Sequence, residues 1–110
     1  MQLEQRFSIE QLETINEQAM IYTCSCPAQV SAQITAIRKL YDYQLACLDR
    51  PQDSELQAIV HRRIAEASRE SHRILEQCLD EVLTLEGWNR ETMQMPAGLR
   101  ILLEKAIDAG

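Results

Sequence analysis

The sequence predicts an all-α chain: an antiparallel, up-and-down bundle of four helices, in one domain over residues 1–110, with a third helix of about 33 residues. Three observations carry this expectation. The stretch from Ser54 to Glu86 contains no proline and no glycine and is long enough for a helix of roughly 50 Å. Its apolar residues recur at helical spacing, which strands do not produce. The whole chain has only 3 Gly and 3 Pro, so turns are few. Hydrophobic residues make up 45% and charged residues 25%, the balance of a folded globular domain.

The first helix is expected from Ser8 to about Tyr22. Ser8 and Gln11 make a capping box, and Phe7 faces Leu12 as a hydrophobic staple. Leu12, Ile15, Ala19 and Tyr22 form the apolar stripe; Glu10, Glu13 and Glu17 form a solvated acidic face. Thr23 to Pro27 breaks the helix, and Pro27 suits the first position of the next, with Cys26 as its N-cap. The second helix runs to about Leu48. Cys26, Val30, Ile34, Ile37, Tyr41, Leu45 and Leu48 share one face, and Ala36, Leu40, Tyr43 and Cys47 add a strip beside it. Two apolar strips predict a central helix. Pro51 blocks a continuous helix into the third.

On the third helix, Leu56, Val60, Ile64, Ala67, Ser71, Ile74, Cys78, Val82 and Leu85 fall in a stripe roughly 80° wide. A second stripe reads His61, Ala65, Ser68 and His72, then Leu75, Leu79 and Leu83. The first is the more apolar and is the expected core face. Ser54 with Gln57 caps the start, and Gly87 fits the left-handed position after the end. Asn89 is placed to cap a short turn, and Met93 and Met95 to plug the end of the bundle. Pro96 opens a fourth helix with Leu99, Leu102, Leu103, Ala106 and Ile107 on its apolar face.

Counting helical rise from the turn sets residue 26 near the height of residue 75, and residue 38 near residue 63. Cys24, Cys26 and Cys78 then converge at one end of the bundle, with Cys47 at the other. Three thiolates suit a soft ion, Zn²⁺ or Cu(I). The spacing departs from the paired cysteines of structural zinc sites. A thiol at a helix N-terminus has a lowered pKa, which makes Cys26 a candidate reactive thiol. Against both stands the plain reading of Cys78 as a small core residue and of Cys24 and Cys26 as lining a helix junction.

Arg38, Lys39, Arg62 and Arg63 are expected level with one another, and Arg69 and Arg73 further along. Glu66, Glu70 and Glu76 interrupt them, which predicts an ion-paired surface. His72 and Glu76 are spaced to pair, also on the surface. No phosphate loop, nucleophile elbow, His-Glu-x-x-His or paired Glu-x-x-His motif occurs, so no catalytic residue is assigned.

A net charge of −6 argues against bulk nucleic-acid binding. No run of about 18 apolar residues marks a membrane span. The polar start of the chain lacks the apolar region of a signal peptide, so the expected setting is cytoplasmic, with the cysteines as thiols or metal ligands and not a disulfide frame. The expected function is a non-enzymatic protein–protein interaction or assembly module. It is expected to form a homodimer, or to bind another helical protein, through the exposed end of the helix 2–helix 3 hairpin. Tyr41, Tyr43, Leu45, Leu48, Leu56, Ile59 and Val60 are its candidate interface residues. The alternatives are a thiol-dependent metal-binding or redox protein using Cys24, Cys26 and Cys78, and a monomer whose residues 1–7 fold back over the hairpin end.

Overall fold

The computed structural model describes residues 3–18, 26–51 and 54–96. Three helices account for 76% of these residues, and no strand occurs among them. α1 spans Ile9–Gln18, α2 spans Cys26–Leu48 and α3 spans Glu55–Glu86.

The ends of the helices follow local chemistry. The Ser8 hydroxyl accepts from the Gln11 N–H at 3.0 Å, and the Gln11 side chain accepts from the Ser8 N–H at 2.9 Å. That reciprocal pair satisfies two N–H groups which a helix start would otherwise leave open. Phe7 and Leu12, on either side of it, are both buried in the core. Ser54 caps α3 through its hydroxyl, which accepts from the Gln57 N–H at 3.2 Å. At the other end Gly87 adopts φ 79°, the left-handed conformation. The Trp88 N–H then reaches the Leu83 carbonyl at 3.0 Å, and the Gly87 N–H reaches the Thr84 carbonyl at 3.1 Å. This is the Schellman arrangement, with Trp88 folded back onto Leu83 in the core. The Asn89 carboxamide accepts from the N–H groups of Glu91 and Thr92 at 2.9 and 3.0 Å, which closes the expected turn.

α2 lies against both α1 and α3. The Ser31 hydroxyl donates to the Leu12 carbonyl at 3.2 Å and ties α1 to α2. Gln44 on α2 meets His61 on α3 at 2.7 Å, whereas Arg38 meets His72 and Glu76 at 3.0 and 2.9 Å. Partner numbers rise on α3 as they fall on α2, so these two helices run in opposite directions. The apolar core gathers at one end: Phe7, Leu12, Ile15, Ile34, Leu79, Leu83, Trp88, Met93 and Met95. Away from it the α2–α3 pair extends as a finger, and the molecule measures 60 × 26 × 18 Å.

Three expectations need correction. First, the buried face of α3 is Ala65, Ser68, His72, Glu76, Leu79 and Leu83, the second stripe and not the first. Ile74 is 53% exposed and Leu85 84%. The more apolar stripe lies roughly 120° around the helix from the buried one. Second, Arg38 is not part of an ion-paired surface but meets His72 and Glu76 inside the seam, although its neighbour Ile37 borders Arg63 and Ile64 close to the expected height. Helical side chains lean toward their own N-terminus, so the long Arg38 side chain reaches up α2, toward higher numbers on α3. Third, α2 buries Ser31, Arg38 and Gln44 among its contacts, while Leu40 and Tyr43 of its second strip are exposed. The expected fourth helix, and the extension of the first to Tyr22, fall on residues outside those described.

Candidate functional site

Two features stand out, a buried charged cluster and an exposed apolar face. They belong together, because the first occupies the helix seam that the second would otherwise fill.

The cluster is built on Arg38, His72 and Glu76. Glu76 follows His72 by one turn of α3, and Arg38 crosses to both from α2. Glu76 is 1% exposed, His72 1% and Arg38 7%. Glu76 Oε2 accepts from the backbone N–H groups of Arg6 and Phe7, at 2.6 and 3.0 Å. Its Oε1 accepts from Arg38 Nη2 at 2.9 Å. Arg38 Nη2 also donates to the Phe7 carbonyl at 2.6 Å, and Arg38 Nε lies 3.0 Å from His72 Nε2. One ion pair therefore clasps the segment before α1 by three backbone groups and holds Phe7 in the core.

Burial pushes the His72 pKa down; the Glu76 carboxylate opposes that shift and the Arg38 guanidinium adds to it. The neutral ring has one nitrogen, Nε2, facing both Arg38 Nε and Glu76 Oε1, at 3.0 and 2.9 Å. It serves as acceptor for the first or donor to the second, not both. Among the described residues Arg38 Nη1, His72 Nδ1 and Tyr41 Oη find no hydrogen-bond partner. The pairing of His72 with Glu76 matches the spacing, but its place is the interior, not the surface. The cluster is closed to solvent, so its chemistry is structural: it fixes one chain segment and one helix register. Of the remaining expected cations, Arg73 pairs with Glu70 and Arg63 approaches Glu66 at 4.0 Å; Arg90, which the sequence did not single out, pairs with Asp80. A polar notch of about 100 Å³ between Glu4, Arg69, Glu70 and Arg73 mixes both signs of charge.

The apolar face runs along α3 and the adjoining flank of α2. Its middle is an open groove of about 300 Å³ lined by Ile37, Leu40, Arg63, Ile64, Ala67, Ser68 and Ser71. Of the candidate interface residues, Tyr43 is 62% exposed, Leu56 69%, Ile59 54% and Val60 46%. Leu45 and Leu48 are half-buried, and Tyr41 is buried inside the finger. Leu40, Ile74 and Leu85 are exposed apolar residues outside the expected interface set. Their membership of the α3 stripe and the second α2 strip was the signal that could have found them. Residues 3–7 do not reach the finger's end: they lie across α3 near Glu76, with Glu4 beside Arg69 and Arg73.

Three of the four thiols fall among the described residues. Cys26 is exposed at the start of α2, Cys47 is buried near its end, and Cys78 is half-buried on α3. Among the described residues no three His, Cys, Asp or Glu side chains are grouped to hold a metal ion. The expected set includes Cys24, which lies outside those residues. No described helix is long and apolar enough to cross a membrane.

Compared with protein-family models, curated proteins and solved structures, the chain finds no match.

Proposed function

We propose that this chain is a non-enzymatic assembly module that associates with itself, most simply as a homodimer, through its α2–α3 hairpin. One observation supports this above the others. The seam between α2 and α3 buries Arg38, Gln44, Ser68, His72 and Glu76, while Leu40, Leu56, Ile59, Val60, Ile74 and Leu85 face outward. Burying charge costs free energy unless it is fully paired, and exposing large aliphatic side chains forgoes about 25 cal/mol per Å². Single exposed aliphatics are ordinary, but a continuous apolar strip on one side of a helix pair marks an interaction surface.

Two further parts of this reading rest on sequence pattern. A fourth helix of about 12 residues, opened by Pro96, completes an up-and-down antiparallel bundle at the core end, and the chain works in the cytoplasm. Such a helix would extend about 18 Å, under half of the roughly 44 Å from Leu56 to Leu85. The lower half of the strip therefore still needs a partner.

Sedimentation equilibrium at micromolar concentration tests the proposal. The expected mass is twice the 12.6 kDa of one chain. A Leu56→Glu, Val60→Glu double variant is expected to sediment as a folded monomer, because both side chains are exposed in the single chain. A clean monomer mass for the unaltered protein would overturn self-association.

A further inference from the structure

We infer that the self-association proposed above, on which this inference rests, is antiparallel: a second copy docks its α3 along the exposed stripe of the first, about a two-fold axis at Ser71. The stripe itself carries the inference, because its apolar positions are arranged symmetrically about that residue. Val60 and Val82 are equidistant from Ser71, and so are Ile64 and Cys78. Leu56 and Leu85 match to within one residue, as do Ala67 and Ile74. A two-fold interface must be self-complementary, each residue meeting its counterpart's partner. An antiparallel pair centred here satisfies that along the whole stripe, and Ser71 meets itself.

Size and charge agree. Antiparallel docking lays the protruding Ile74, 53% exposed, over the small Ala67 that floors the groove between Ile64, Ile37 and Leu40. Large then meets small, as close packing requires. A parallel pair would set Ala67 and Ser71 against themselves and leave a gap between the bulky ends. Arg63 and Glu81 flank the same side of the stripe, and Arg63 has a side chain 76% exposed. In an antiparallel pair equal sides face each other, so each Arg63 comes within about 3 Å of level with the second copy's Glu81. Glu70, nearest the axis on that side, is held by Arg73 of its own chain. Contact along roughly 44 Å of helix buries on the order of 1,000–1,500 Å² in total, the range of a specific dimer.

Native Cys78 offers the test. In an Ile64→Cys variant, position 64 and Cys78 of one chain lie fourteen residues, about 21 Å, apart on one straight helix. No disulfide spans that distance, so a 64–78 link forms only between chains. Mild oxidation with copper phenanthroline, followed by peptide mass mapping, is expected to show that link. Ser71→Cys, at an exposed position that tolerates substitution, is expected to link to itself. Leu56→Cys is not, because the two copies hold position 56 at opposite ends, about 45 Å apart. A dimer mass without the 64–78 and 71–71 links, or with self-linked position 56, overturns the antiparallel geometry and leaves assembly standing. A monomer mass at micromolar concentration, with no links, overturns both. Links abolished by deleting residues 97–110, with the dimer mass retained, would overturn α3-to-α3 docking in favour of a tail-mediated dimer.

Discussion

Exchanging Glu76 for glutamine changes one atom and tests the buried clasp directly. Both oxygens of Glu76 act only as acceptors: Oε2 takes two backbone N–H groups, and Oε1 takes Arg38 Nη2. A carboxamide has one acceptor and one donor edge. In either orientation Glu76→Gln therefore turns an NH₂ toward a donor, either the Arg6 and Phe7 amides or the guanidinium. It also leaves Arg38, 7% exposed, without its counter-charge. Breaking one side of a buried ion pair costs about 3–5 kcal/mol, a large share of the ~5–15 kcal/mol that holds a domain folded. With a urea dependence of about 1.5–2 kcal/mol per M, the unfolding midpoint should drop by roughly 2 M. Trp88, the chain's one tryptophan, is 5% exposed in the same core as Phe7 and reports unfolding by fluorescence. Measurements belong at one fixed protein concentration, since association would shift the midpoint by mass action. Amide hydrogen exchange at Arg6 and Phe7 should accelerate in the same variant. The double variant Arg38→Met, Glu76→Leu should lose less than the two single changes added together, because removing both charges strands neither. A Glu76→Gln midpoint within about 0.3 M of the unaltered protein, with Arg6 and Phe7 still protected, would refute the clasp.

Three further outcomes follow from named contacts. His72 is held below its ordinary value of 6.5, chiefly by burial, so near and below that pH the unfolded chain binds more protons than the folded one; stability should be complete above about pH 6.5 and fall as pH drops below it, a slope that His72→Gln should flatten in urea titrations. Gly87→Ala should cost about 1 kcal/mol, from the left-handed backbone alone, since a Cβ there meets no atom within 4 Å; an unchanged midpoint would contradict the Schellman end. Ser8→Ala removes the hydroxyl that caps α1 and should cost about 1 kcal/mol, read by the same Trp88 signal.

The parts of the fold legible in the sequence are those that local chemistry decides. The Ser8–Gln11 box, the Ser54 cap, the Gly87 stop and the Asn89 turn each depend on residues within a few positions of one another. So does the helical class itself. The buried face of α3 was not legible in the same way. Periodicity ranks faces by apolarity, and by that measure Leu56 to Leu85 outranks His61 to Leu83. Which face one chain buries depends on what the other elements present, and that is long-range information. Arg38 sits in line between Ile34 and Tyr41, at core spacing on α2. Glu76 sits in line between His72 and Leu79, at core spacing on α3. Opposite charges at core positions of two neighbouring helices were the available signal. Each taken alone reads as a surface charge.

The two faces of α3 divide the work between register and association. An aliphatic seam tolerates sliding, since Leu and Ile pack against one another at several offsets. The seam with Arg38 does not. A slip of α2 by one turn moves its guanidinium about 5.4 Å from Glu76, strands both charges inside the protein and releases the Phe7 carbonyl from its donor. The pair thus fixes one register at the expense of apolar area in the seam. The aliphatic side chains excluded from it line an adjoining face of the same rigid helix, roughly 120° around, where their spacing is held to that of α3 itself. On this reading folding and association are coupled in one direction: the clasp sets the relative height of α2 and α3, and that height decides whether Ile37 and Leu40 wall the groove at Ala67. Loss of the Arg38–Glu76 pair should therefore weaken self-association even in protein that remains helical, although neither residue lies on the docking face.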